Sequence, residues 1–128
     1  MQIKGLRAVV VGGASGMARA TAETIVAGGG TVAILDLATS DGDAVAAEMG
    51  GGTTFHAADV TDFEGIETVL AGAAAAMGGL DAVVNTAGGG VAKRTLSKDG
   101  PHPLDEFRQV VDLNLVASFN INRLAAKP

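Results

Sequence analysis

Apolar positions along the chain alternate between two rhythms. Residues 6–11 (Leu6-Arg7-Ala8-Val9-Val10-Val11) form a near-continuous β-branched run, the pattern of a strand buried on both faces. Residues 17–26 then repeat apolar side chains at helical spacing and stop at Gly28-Gly29-Gly30. A second strand spans 31–35, with Asp36 at its end. Ser40 or Asp41 can cap a helix running to Met49, which Gly50-Gly51-Gly52 terminates. Residues 53–57 read as a weaker third strand. Thr61 and Glu64 have the spacing of a capping box, opening a helix that reaches Met77. Gly78-Gly79 breaks that helix, and 80–84 forms the fourth strand. A polar, Gly-rich loop covers 88–103, and helical periodicity returns over 104–126 as one long helix.

Four strands alternating with four helices imply parallel strands joined by right-handed crossovers. The expected fold is α/β: a Rossmann-like doubly wound parallel sheet in strand order 3-2-1-4, with helices on both faces. No linker or low-complexity tract divides the 128 residues, so they read as a single domain.

Composition narrows the function. Apolar residues make up 48% of the chain, which argues against disorder. Glycine, at 19 residues, is about twice its usual share without any collagen-like period, so it marks turns and close backbone approaches. The net charge is −5 and no basic stripe is present, so no nucleic-acid partner is expected. There is no cysteine, and His56 and His102 stand in no metal-ligand spacing, so no metal is expected. No apolar run approaches the length of a membrane span, and residues 1–5 form no apolar signal. The chain therefore reads as soluble and cytoplasmic, with no membrane partner.

Five places carry candidate chemistry. The first is Gly12-Gly13-Ala14-Ser15-Gly16, directly after the first strand. Gly12 permits the sharp turn, and Gly16 lets the helix start close to a ligand, so free N–H groups and the positive helix end can face a pyrophosphate. A lone Gly-rich turn without a ligand is the plain alternative. The second is Asp36, twenty residues beyond Gly16 at the carboxyl end of the second strand. A carboxylate there can hold the adenosine ribose hydroxyls and repel a 2′-phosphate, which selects NAD over NADP; Leu37 supplies no compensating cation. Its alternative is a strand-ending Asp that shapes a turn. The third is Asp59-Val60, balanced between an adenine contact and a helix-entry residue. The fourth, Asn85-Thr86-Ala87-Gly88, would let backbone pass close to a ligand. The fifth is Asn114, a poor helix-interior residue that is otherwise a polar position on a helix face.

In this order the five places resemble the short-chain dehydrogenase/reductase family, whose fold and NAD-linked oxidoreductase activity the resemblance implies. The loop is similar to that family's Thr-Gly-x-x-x-Gly-x-Gly, with Val11 in place of the Thr and Ala18 in place of the last Gly; Thr86 stands where many members have Asn. The stretches Lys4-Gly5-Leu6, Leu35-Asp36-Leu37, Ser40-Asp41-Gly42, Ala58-Asp59-Val60-Thr61, Asp112-Leu113-Asn114-Leu115 and the extended loop 93–103 are similar to the members that act on 3-hydroxyacyl-CoA. The resemblance implies that Ser15, Met17, Asp36, Asp59, Val60 and Thr86 contact NAD. It implies that Asn114 belongs to the catalytic set, holding a water in a proton relay to a lysine. It implies a small-molecule substrate, an acyl-CoA or a hydroxysteroid-like compound, and a homo-oligomer.

The family's general acid/base is a Tyr in Tyr-x-x-x-Lys, and these 128 residues contain no Tyr. They are therefore expected to be a truncated, inactive cofactor-binding half of such an enzyme. A non-catalytic nucleotide-binding module is the alternative. A methyltransferase, which can also place an acidic residue after its second strand, fits less well with the Gly12–Gly16 gap and Asn85-Thr86-Ala87-Gly88. A half sheet predicts an unpaired strand edge, with Leu113, Val116 and Leu124 turned to water.

Overall fold

A computed structural model describes residues 2–127. Strand β1 (Arg7–Val11), β2 (Thr31–Asp36), β3 (Thr54–Ala57) and β4 (Ala82–Asn85) form a parallel sheet in the order β3-β2-β1-β4, as the alternation predicts. Helices α1 (Gly16–Ala27), α2 (Gly42–Met49) and α3 (Gly65–Ala76) are the crossovers. β1 lies against β2 on one side, Val9 opposite Ala33 and Val11 opposite Leu35, and against β4 on the other, Val11 opposite Asn85.

The two-residue period of a strand sends successive side chains to opposite faces, and here both faces are covered. Val9, Val11, Ala33 and Leu35 pack with Ile66, Leu70 and Ala73 of α3 and with Ile121 and Leu124 near the C-terminus. Ala8, Val10, Val32 and Ile34 pack on the opposite side with Ala18, Ala22 and Ile25 of α1 and Val45 and Ala46 of α2. Ile34 and Leu35 are adjacent in sequence, fully buried, and belong to different layers. β4 is only half-buried along its length and pairs with β1 alone among the described residues, which is the expected open edge.

Three local expectations are corrected. The Thr61–Glu64 capping box does not form. Thr61 gives its hydroxyl and its N–H to Asp59 Oδ1, at 2.6 and 2.9 Å, and Asp62 Oδ1 accepts the Gly65 N–H at 3.0 Å. The charged Asp59 carboxylate fixes the Thr61 hydroxyl as a donor, and Asp62, of a type among the best capping side chains, accepts the helix-entry N–H in its place. The 88–103 loop is also not wholly irregular: β5 (Leu96–Ser97) and β6 (Gly100–Pro101) form a small antiparallel hairpin.

The third correction concerns the last helix, which is broken. Helix α4 (Leu104–Val111) runs into a π-turn over Asp112–Val116 and resumes as α5 (Ala117–Ala125). Asn114 Nδ2 donates to the Val110 carbonyl at 2.8 Å, occupying the acceptor that its own backbone N–H would use in an α-helix, so the ladder widens by one residue. One extra residue rotates everything downstream by about 100° relative to an unbroken helix. Leu124, expected in water on the open side of a half sheet, is instead 7% exposed and part of the core, because α5 packs against α3 and β4, and Leu113 is half-buried. Val116 is exposed as expected, but the main exposed apolar positions are Leu104, Phe107, Leu115 and Phe119.

Arg7 joins the start of β1 to the turn before β4. Its guanidinium grips Asp81 through Nε and Nη2 at 2.8 and 2.7 Å, and its backbone N–H reaches Asp81 Oδ2 at 2.9 Å. Those bonds, first the side-chain one, hold the Asp81 carboxyl down from the ordinary 3.8 to about 2. A carboxyl held low in the folded state contributes stability above its unfolded value and loses it as pH falls through its folded value. Asp81→Asn is therefore expected to cost stability at neutral pH, modestly because the pair is more than a third exposed. The difference from the unmutated chain should shrink between about pH 4 and pH 2. Urea midpoints of both proteins across that range measure it; a constant difference would exclude this role for the pair.

Candidate functional site

In strand order 3-2-1-4 the chain leaves β1 for a neighbour on one side and later returns to the other, so β1 marks the point where winding reverses. Ligands of doubly wound sheets bind in the crevice outside the strand carboxyl ends at that point. A crevice of about 530 Å³ lies there, beside Val11 at the end of β1. That volume is within the usual range for small-molecule sites.

Each wall comes from a different strand end. The β1–α1 turn contributes Gly12, Ser15, Gly16 and Met17; the end of β2 contributes Asp36 and Leu37; the β3 loop contributes Asp59 and Val60; the β4 loop contributes Thr86, Ala87 and Gly88. All ten expected cofactor-binding residues thus line one crevice, although they span 77 positions from Gly12 to Gly88 in sequence. Asn114 is not among the lining residues; its neighbour Leu113 is.

The floor could receive an anion. Gly12 and Gly16 have φ of +80° and +57°, which a side chain would strain. They turn the chain so that α1 points its N-terminus at the crevice. Ser15, the residue at that terminus, makes no side-chain cap, and the first turn holds no acidic residue. The opening N–H groups are thus left without a side-chain acceptor, at the positive end of a twelve-residue helix.

Asp36 stands across from them and holds the loop that leads to them. Its Oδ2 accepts the Ala14 N–H at 3.0 Å and its Oδ1 accepts the Leu37 N–H at 2.8 Å. A carboxylate has about four lone-pair positions, so both oxygens keep capacity for hydroxyl donors. Asp59, farther along, spends Oδ1 on Thr61, whose hydroxyl and then N–H hold its carboxyl below the usual range. The crevice therefore has a donor end at α1 and two carboxylates along its length, with no Lys, Arg or His among its lining residues.

The β4 loop is fastened from both sides. Thr86 N–H donates to the Val11 carbonyl at 3.1 Å, and Gly12 leaves little room for a Cβ, which would lie 3.2 Å from the Ala87 nitrogen. Asn85 Oδ1 accepts the Ala87 N–H and its Nδ2 donates to Ser118 Oγ, each at 3.1 Å. Asn114 closes the far end: Nδ2 donates to the Gly89 carbonyl at 2.7 Å and Oδ1 accepts the Gly89 N–H at 3.1 Å. Gly88 passes so close that a Cβ there would sit 2.6 Å from Asn114 Oδ1. These bonds are the physical reason for an Asn inside a helix. The sequence reading did not find Ser118, whose single hydroxyl on a helix face carries no spacing signal.

Comparison with known proteins places the chain in a family. The family model described as short chain dehydrogenase matches residues 7–128. The human 3-hydroxyacyl-CoA dehydrogenase type-2 is 44% identical over 97% of this chain and 48% of its own length. A Sphingomonas 2-dehydro-3-deoxy-L-rhamnonate dehydrogenase (NAD(+)) is 37% identical over 91% of this chain and 45% of its own length. The NADPH-dependent 3-quinuclidinone reductase of Rhodotorula rubra superimposes with a TM-score of 0.87 at 27% identity, covering 98% of this chain and 47% of that one. The chain spans about half the length of the curated relatives it matches.

Gly88→Ala is expected to cost about 1–3 kcal/mol, the usual penalty of forcing atoms into a filled space. The cost should fall when Asn114→Ala is present as well, because the clash partner has gone. Urea denaturation of the two single variants and the double variant measures the coupling; strict additivity would refute the contact.

Proposed function

The chain belongs to the short-chain dehydrogenase family, and we propose that these residues form the cofactor-binding portion of an NAD-dependent oxidoreductase acting on a secondary alcohol and its ketone. The observation that carries the proposal is the placement of the Asp36 carboxylate at the carboxyl end of β2, bonded to the same loop whose helix aims uncapped N–H groups into the crevice. Those N–H groups would take the pyrophosphate. Asp36 would take the adenosine ribose hydroxyls and disfavour a 2′-phosphate, and the exposed Leu37 beside it offers no cation to accept one. Asp59 and the Val60 backbone would face the adenine, and Thr86, Ala87 and Gly88 the other end of the dinucleotide. When bound, the cofactor supplies the hydride donor or acceptor.

Asn114 is counted in the catalytic set of this reading. Both of its amide hydrogens are used, on Gly89 and Val110, and Oδ1 keeps one lone pair from which it would accept a relay water. Likeness to the human 3-hydroxyacyl-CoA dehydrogenase type-2 favours a 3-hydroxyacyl-CoA, with a hydroxysteroid-like substrate second. The same reading includes a cytoplasmic location and a homo-oligomer formed through the apolar face of Phe107, Leu115 and Phe119. Without a Tyr to act as general acid/base, these 128 residues alone would not turn over substrate. A coding sequence that continues into Tyr-x-x-x-Lys would separate the enzyme from a purely nucleotide-binding module.

Titration calorimetry with NAD and NADP tests the reading. NAD is expected to bind more tightly, and Asp36→Ala to weaken it roughly 10- to 100-fold, the range for hydrogen bonds to a charged group. Equal affinity for the two dinucleotides in the unmutated chain would remove Asp36 from this role. NADH and acetoacetyl-CoA should give no turnover with the 128 residues; a clear rate would overturn that part of the proposal.

A further inference from the structure

Beyond the residues that line the crevice, one side chain fixes its wall from outside. We infer that Ser118 is a positioning residue for the dinucleotide site, acting through Asn85. This rests on the nucleotide-binding reading above.

Asn85 ends β4, and its amide can face either way. In one orientation Nδ2 donates to Ser118 Oγ and Oδ1 accepts the Ala87 N–H. In the flipped orientation the amide hydrogens would point at the Ala87 N–H, donor against donor, and that backbone group would lose its partner. The Ala87 N–H, which can only donate, selects the first orientation, and the Ser118 hydroxyl anchors the amide in it by accepting from Nδ2. An alkyl group at position 118 removes that anchor.

What the amide fixes is the Ala87 backbone, and that backbone lies against Gly12, where even a Cβ would be only 3.2 Å from its nitrogen. The two segments share the crevice floor, so a shift of Ala87 alters the space beside the phosphate-facing turn. Ser118 lies four residues beyond Asn114, which holds Gly89 at the other end of the same loop. The π-turn between α4 and α5 sets the rotation of α5 and thereby directs Ser118 at β4, although Ser118 is not among the residues lining the crevice.

The test uses Ser118→Ala, Ser118→Val and Ser118→Thr in this chain, with two readouts: hydrogen exchange at the Ala87 amide and NAD affinity by calorimetry. Thr keeps a hydroxyl on nearly the shape of Val, so the pair separates hydrogen bonding from packing. The expected result is faster Ala87 exchange and roughly two- to twelve-fold weaker NAD binding in Ala and Val, the range of one net hydrogen bond, with both restored in Thr. Thr and Val behaving alike would overturn the inference, as would faster exchange with unchanged affinity. An unmutated chain without affinity for either dinucleotide would sink the function reading itself. That failure is distinguishable, because it is seen before any variant is made and leaves the exchange comparison intact.

Discussion

Strand β1 has no solvent face. With β2 on one side, β4 on the other and a helix layer above and below, Ala8, Val9 and Val10 are fully buried. Only the carboxyl end of the strand is open, so the chain must turn there while still providing acceptors and donors for its backbone. Val11 hands its carbonyl to Thr86, and Gly12 gives its N–H to the Leu35 carbonyl at 2.7 Å. The sheet ladder thus continues one step past the strand on both sides. The crevice is the space left where those two continuations diverge.

The site is accordingly made of strand ends tied to one another. Asp36 ties the β2 end to the β1 loop, Asn85 ties the β4 end to α5, and Asn114 ties the β4 loop back to the π-turn. The last two ties come from a helix that contributes only Leu113 to the crevice lining. One side of that helix is spent on the wall, while Leu104, Phe107, Leu115 and Phe119 stay exposed. Its rotation is consequently constrained by polar contacts as well as by the burial of Ile121 and Leu124.

Much of this was legible in the sequence, for identifiable reasons. Buried parallel strands announce themselves as β-branched runs, and residues 6–11 and 31–35 did so. The glycines at 12 and 16 mark positions where backbone geometry leaves little choice, and Asp36 is identified by its place at a strand end. Three features were not legible. The π-turn adds a residue without disturbing the composition of a helix, so a 3.6-residue pattern runs through 104–126 uninterrupted. The capping box is replaced because Asp62 accepts the helix-entry N–H while Asp59, outside the motif, holds the Thr61 hydroxyl. Ser118 was invisible because its partner lies 33 residues away.

The bond between Asp36 and the Ala14 N–H has a consequence for redesign. The carboxylate that faces the crevice is also the acceptor for the glycine turn, so the loop's shape and the chemistry of the β2 end cannot be varied separately. A swap to Arg or Ala at position 36, made to welcome a phosphorylated ribose, would orphan that amide and loosen the very turn on which the phosphates must rest. Asn at the same place is isosteric and keeps an acceptor at the position of Oδ2, which makes it the natural starting scaffold for altering cofactor choice.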